Sequence, residues 1–219
     1  MPRHAASPRK PRQFVLHEGK KQSVHRELRG QIAYLAARMI AMDGMTSLGA
    51  ARQKAARQLG TTEKGLLPDD HEIEKALRLH QSIFQRNSQP QECRALRLIA
   101  VDVMRWLDHF SPWLVGAVLK GTANRFSEIE LKIISASAKQ VELFFINERV
   151  PFETRVKHAG QPRRGIMLNE IVSYEVTFNE IPVVIAHYLQ HAARHAHHPD
   201  ESLKHARAQL AAVEVLLAK

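Results

Sequence analysis

Gly121-Thr122-Ala123-Asn124-Arg125-Phe126-Ser127-Glu128-Ile129-Glu130-Leu131 is the stretch on which the reading of this chain turns. A turn of small residues stands just ahead of two carboxylates spaced i, i+2. In a strand, residues two apart point to one face, so Glu128 and Glu130 project together beside that turn. A pair so placed suits a divalent metal held against a phosphate chain, because magnesium takes few protein carboxylates and completes its shell with substrate phosphates. The same spacing also fits an ordinary half-buried strand, with Ile129, Leu131 and Ile133 turned inward and the acids on the wet face.

Around this stretch the spacing of apolar residues changes character. Upstream, Val24, Leu28, Ile32, Leu35, Ala36, Met39 and Ile40 recur every three or four positions, which predicts a helix over 22–42 that stops near Asp43-Gly44. Further helices are expected over Leu48 to Leu59, with Thr46-Ser47 able to cap it, over Asp69 to Gln85, and over Pro90 to His109. After Pro112 short β-branched runs take over. Strands are expected over Trp113 to Leu119, Glu128 to Ser135 and Pro151 to Lys157, with a hairpin of Glu170 to Phe178 and Ile181 to Tyr188 closed at Asn179-Glu180. A helix falls between the second and third strands at Ala138 to Glu148, and a last one over Glu201 to Leu217. The fold class is therefore α+β: a basic, Pro-rich mobile tail over 1–21, a helical region over 22–110, and a mixed-sheet core with flanking helices over 111–219.

Composition bounds the chemistry. The chain has 219 residues with 32 Lys and Arg against 22 Asp and Glu, a formal net charge of +10. Such an excess attracts polyanions, so a phosphorylated small molecule, RNA or DNA is a plausible partner, and a basic surface kept for solubility is the plainer alternative. Aromatic residues make up only 6% of the chain, which speaks against an extended stacking platform for single strands. Cys93 is the single cysteine, so neither an intrachain disulfide nor a multi-thiolate zinc site can form within one chain. No apolar run reaches the roughly 18 residues that span a bilayer. The basic N-terminus lacks the apolar stretch and cleavage site of a secretory signal, and the expectation is a cytoplasmic protein with no membrane partner.

The turn and the acid pair resemble the signature of the nucleotidyltransferase superfamily, a Gly-Ser turn followed by Asp-x-Asp. Here Thr122 stands in the Ser position and Glu replaces both Asp. The order of elements also resembles that superfamily's core, in which a strand leads into the turn and the next strand carries the acids. The resemblance implies that Gly121 and Thr122 hold the terminal phosphates of a nucleoside triphosphate, that Glu128 and Glu130 bind magnesium and are catalytic, and that Arg125 and Lys132 touch phosphate. It also implies a third acid on a later strand. Pro182-Val183-Val184-Ile185-Ala186 is apolar where that acid is sought, and Glu175 on the neighbouring strand is the nearest candidate. The implied activity is transfer of a nucleoside monophosphate to RNA, a protein or a small acceptor; a catalytically degenerate nucleic-acid-binding or regulatory module of the same fold is the alternative. Gly121 to Pro151, with Val141-Glu142-Leu143-Phe144-Phe145-Ile146-Asn147, is further similar to a family of short proteobacterial proteins with this core, some of which bear the name UDP-N-acetylmuramate-alanine ligase. The chain has no Gly-Lys-Thr phosphate loop to support a ligase.

Other patterns carry less. His187, His191 and His195 would share one helical face if 188–198 were helical, a spacing able to bind zinc or nickel, although a solvated basic segment leading to Pro199 is the favoured account. No Gly-x-Ser-x-Gly elbow anchors a hydrolase triad. The first two helices resemble the opening of helix-turn-helix repressors, and an ordinary helical hairpin is the simpler reading, since Gly65 and Pro68 follow closely. Leu210, Val213, Leu216 and Leu217 give the last helix an apolar side for its own core or for another subunit.

Overall fold

Thirty residues of unbroken helix open the computed structural model, in which α1 runs Gln13–Met42. Residues 13–159, 169–189 and 206–218 are described. The helix therefore takes in Gln13 to Lys21, which the sequence assigned to a mobile tail. Pro11 is the last proline of that segment, and from Gln13 onward nothing blocks the helical hydrogen-bond ladder. Residues 1–12 lie outside the described set.

The chain divides into two compact units, Met1–His80 and Gln81–Lys219. In the first unit α1 packs on α2 (Leu48–Gln58) through small residues, with Ala33, Ala36 and Ala37 of one and Ala51, Ala55 and Ala56 of the other all buried. Alanine contributes little volume, which lets two helix backbones approach closely. Ser47 caps α2, its hydroxyl accepting from the Ala50 N–H at 3.2 Å. A short 3-10 turn at Lys64–Leu66 follows, and then α3, Asp70–Phe84. At its start Asp69 and Glu72 exchange hydrogen bonds, each backbone N–H donating to the other's carboxylate at 2.7 and 2.8 Å. Arg29 donates through Nε to both Glu72 oxygens at 2.8 Å, which holds the Glu72 carboxyl below its ordinary range.

The second unit holds α4 (Ser88–Trp106), β1 (Trp113–Val115), α5 (Gly116–Lys120), β2 (Ile129–Ser135), α6 (Ala138–Asn147), β3 (Glu153–Ala159), β4 (Asn169–Phe178), β5 (Ile181–Leu189) and α7 (Leu210–Leu217). The strands form one sheet in the order β1-β2-β5-β4-β3. Only β2 and β5 run parallel; the other pairs are antiparallel, so the sheet is mixed and the α+β class holds. The β4–β5 hairpin closes at Asn179 and Glu180, both in the left-handed region at φ 49° and 64°, as a type I′ turn demands. Alternation along the strands gives the sheet one covered face. Ile129, Leu131, Ile133, Tyr174, Val176, Val183 and Ile185 join Leu96, Val103 and Met104 of α4, Val141 and Phe145 of α6 and Val213 of α7 in one core.

Two expectations change. The apolar run Trp113 to Leu119 is a strand only as far as Val115, where Gly116, at φ 71°, turns the chain into α5. Residues 206–209 are not helical, and Ala208 bridges Leu114 in antiparallel fashion before α7 begins. Tyr188 lies in β5, as the strand expected over Ile181 to Tyr188 has it, while His191, His195, His197, His198 and the basic loop Gly160 to Gly165 lie outside the described residues. Among the described residues no helix is long and apolar enough to cross a membrane.

Candidate active site

Because β2 alternates strictly, its second face is set by the first. Ile129, Leu131, Ile133 and Ser135 are buried, and Glu130, Lys132 and Ile134 between them are partly exposed on the opposite side. Glu128, just ahead of the strand, is also partly exposed. Residues paired across a sheet share a face, so the register places further groups beside Glu130. Glu130 pairs with Val115 on one side and Val184 on the other, Val184 with Glu175, and Glu175 with Glu153. The result is a transverse row in which Val184 separates Glu130 from Glu175. At about 4.8 Å per strand, the two glutamate backbones stand roughly 10 Å apart. Glu175 is ion-paired to Arg155 at 2.8 Å.

The glycine that meets the acid is Gly116. A Cβ built on it would lie 2.0 Å from Glu130 Oε1, so the carboxylate rests on bare backbone where β1 ends. The turn singled out in the sequence, Gly121-Thr122, lies five residues further on. Gly121, at φ 76°, terminates α5, and the N–H groups of Gly121, Thr122 and Ala123 all donate to the Ala117 carbonyl. The carbonyls of that turn are taken as well. Gln89 Nε2 donates to Gly121 O at 3.0 Å and Ala123 O at 2.8 Å, and Gln81 Nε2 donates to Thr122 O at 2.8 Å. With Thr122 only 4% exposed, the turn is a buried helix end with its amides already spent, and it has none to offer a phosphate.

The expected phosphate ligands diverge. Arg125 is exposed, donates its backbone N–H to Glu92 at 3.0 Å, and lays its guanidinium 4.7 Å from the Phe126 ring centroid. Lys132 shares the half-exposed face with Glu130, its ammonium 5.5 Å from the Tyr188 ring centroid. Among the described residues no three His, Cys, Asp or Glu side chains group closely enough to hold a metal ion by themselves.

His187 has a structural place. It is 1% exposed on the covered face, and its Nε2 lies 2.8 Å from Ser135 Oγ. The Ser135 hydroxyl donates to Ser137 O at 2.9 Å, which leaves Nε2 as the donor to Ser135. Burial lowers the His187 pKa, with Ser135 and Glu142 opposing. Nearby, Tyr174 donates to Ala138 O at 3.2 Å, and burial, reinforced by Glu142, pushes its phenol above the ordinary value, so the group stays protonated.

One feature of the face escaped the sequence reading, the turn at Gly116, and Val115-Gly116-Ala117 at the end of an apolar run was the available sign of it. The apolar strand expected where a third acid was sought does lie beside β2, with Val184 paired to Glu130. No protein-family model matches the chain, and no curated protein sequence matches it.

Proposed function

We propose that the chain is a magnesium-dependent nucleotidyltransferase that moves a nucleoside monophosphate from a nucleoside triphosphate to a hydroxyl on RNA, a protein or a small acceptor. The observation that carries this reading is the seating of Glu130 against Gly116, on the side of the sheet that the core leaves open. The missing Cβ lets the Glu130 carboxylate settle at the strand end, where it can offer an oxygen to a metal that a phosphate chain also ligates, and Glu128 two residues back adds the second charge. The pair fits the ion on chemical grounds, since magnesium requires one or two carboxylates and takes its remaining ligands from phosphates and water, so a third protein ligand is not a condition of binding. Bound there, the ion would supply charge neutralisation of the triphosphate, which is most of what phosphoryl transfer asks of a protein.

The chain's own residues divide the rest. Glu128 and Glu130 hold and orient the ion, and Lys132, one step along the same face, offers a cation to a phosphate oxygen. Gly121, Thr122 and Arg125 are given no contact with phosphate. Glu175 stays in the same row, one strand beyond Val184, where it is ion-paired to Arg155. A nucleoside triphosphate substrate agrees with a cytoplasmic location.

Val184, in the slot beside Glu130 where the resemblance implies a third acid, favours a second reading: a nucleotide- or nucleic-acid-binding module of the same shape without turnover. Incubation with nucleoside triphosphates labelled at the α-phosphate, magnesium or manganese, and total cellular RNA separates the two. Transfer of label that falls roughly 10²- to 10³-fold in the Glu128→Ala/Glu130→Ala variant supports catalysis, the scale expected for removing electrostatic stabilisation of the transition state. Equal labelling by both proteins removes Glu128 and Glu130 from the chemistry. No labelling, with salt-sensitive RNA binding retained, selects the binding module.

A further inference from the structure

We infer that the site on the half-exposed face includes a platform for the heterocyclic base, made by Trp113 and Arg207, so that its ligand is a nucleotide rather than an inorganic polyphosphate. This rests on the proposed role of Glu128 and Glu130 and extends it to the other end of the ligand.

The chain has two tryptophans, and the sheet separates them. Trp106 belongs to the core side, with ring centroids 5.1, 5.7 and 6.4 Å from Phe144, Phe145 and Phe178. Trp113 pairs with Lys132, which puts it on the face of Glu130 and only partly buries it. Its ring carries a planar cation, with Arg207 Cζ 5.0 Å from the centroid. That arginine is fixed by the neighbouring bridge, in which Leu114 N–H donates to Ala208 O at 2.8 Å and Ala208 N–H to Leu114 O at 3.0 Å. Arg207 itself is exposed.

A guanidinium lying on an indole is a short stack, and an exposed guanidinium has a second planar side on which a heterocyclic base can be received. The placement suits a nucleotide. Trp113 and Gly116 are three residues apart on one chain, about 10 Å along β1. With phosphates at Glu130 and Gly116, the ribose would bridge toward the stack, and Lys132, the register partner of Trp113, lies beside the stack with its ammonium able to reach back along the same face. An inorganic chain would engage only the acidic and cationic end. Trp113 also explains how a chain poor in aromatic residues could recognise a base: a single nucleotide needs one platform, not a row of them.

The test compares two magnesium complexes, of ATP and of inorganic tripolyphosphate, binding to the full chain by titration calorimetry. Trp113→Ala is expected to weaken ATP roughly 5- to 100-fold, the range that alanine substitution gives for one stacked base. Tripolyphosphate affinity should stay within about twofold of wild type by the same argument, and Trp113→Phe, which keeps a ring, should restore most of the ATP binding. Should Trp113→Ala fail to fold, wild-type fluorescence decides, with ATP expected to quench Trp113 and tripolyphosphate to leave it unchanged. If Trp113→Ala weakens both ligands alike, weakens neither, or ATP binds without differential quenching, the platform is overturned while the phosphate site stands. Wild type that binds neither ligand overturns both.

Discussion

The two faces of the sheet use the same strands for opposite ends. On the covered face the side chains of β2, β4 and β5 enter a continuous apolar core, and the polar exceptions, Ser135 and His187, bond to each other. On the half-exposed face Glu130, Lys132, Glu175 and Trp113 stand among aliphatic residues, Val115, Ile134, Val184 and Ala186. Strict alternation allows this, because a substitution on one side leaves the neighbour's direction unchanged. Stability therefore concentrates on one side of the backbone and the proposed chemistry on the other. Substitutions that disturb one side and spare the other are the way to break that division.

The largest effect is expected on the covered face. Phe145 is fully buried, its ring 5.3 Å from Phe152 and 5.4 Å from Tyr174 between centroids. Phe145→Ala should cost about 3–5 kcal/mol in urea unfolding, the range for large aromatic truncations in cores. Nucleotide affinity of the folded fraction should be unchanged. Loss of affinity with the fold intact would mean that the two faces are coupled through the sheet.

Gly116 sharpens the comparison from the other side. Gly116→Ala forces an alanine into the left-handed region, at about 1–2 kcal/mol, and drives its Cβ into the space of Glu130 Oε1. A flexible carboxylate can swing aside, so stability should fall by little more than the backbone cost while magnesium-nucleotide binding is lost. Gly60 provides the control. It has a similar φ of 72° with nothing within 4 Å of a built Cβ, so Gly60→Ala should match the stability loss and leave nucleotide binding alone. Equal binding by the two variants would detach Gly116 from the site.

These positions also mark how far the sequence could be read. Helical spacing from Val24 to Ile40 and the alternation Glu128-Ile129-Glu130-Leu131 are local signals tied to one repeat each, and the helix and strand they predict are present. The i, i+2 rule also placed Glu130 on the face opposite the core. Trp113 to Leu119 misled because a short, wholly apolar run has no periodicity to separate strand from helix, and the decision rested on Gly116 adopting a positive φ. Of the two glycines five residues apart, the one preceding Thr122 matched the signature, yet its turn is used internally by Gln81 and Gln89, whose bonds to it span 41 and 32 residues. Long-range pairing likewise put Val184 beside Glu130 and moved His187 from a supposed metal face into the core.

The smallest effect is the pH response of that histidine, which tests whether the covered face is as inert as its burial implies. The pKa of His187 in the fold lies below its ordinary value of 6.5, with desolvation as the main cause. Unfolding exposes a ring that binds its proton more readily, so between the lowered pKa and about 6.5 the unfolded chain holds more protons than the folded one, and stability falls with acidification across that window. Above it the contribution is complete and flat. His80, also pushed down chiefly by burial, acts in the same direction, so the native chain should lose stability below pH 6.5 through both groups. His187→Gln keeps a side-chain N–H for Ser135 but cannot titrate, and urea unfolding of this variant at pH 7.5 and pH 5.5 should show a shallower loss than wild type. An identical loss would mean that His187 gains no proton on unfolding, and the neutral pairing of His187 with Ser135 would have to be abandoned.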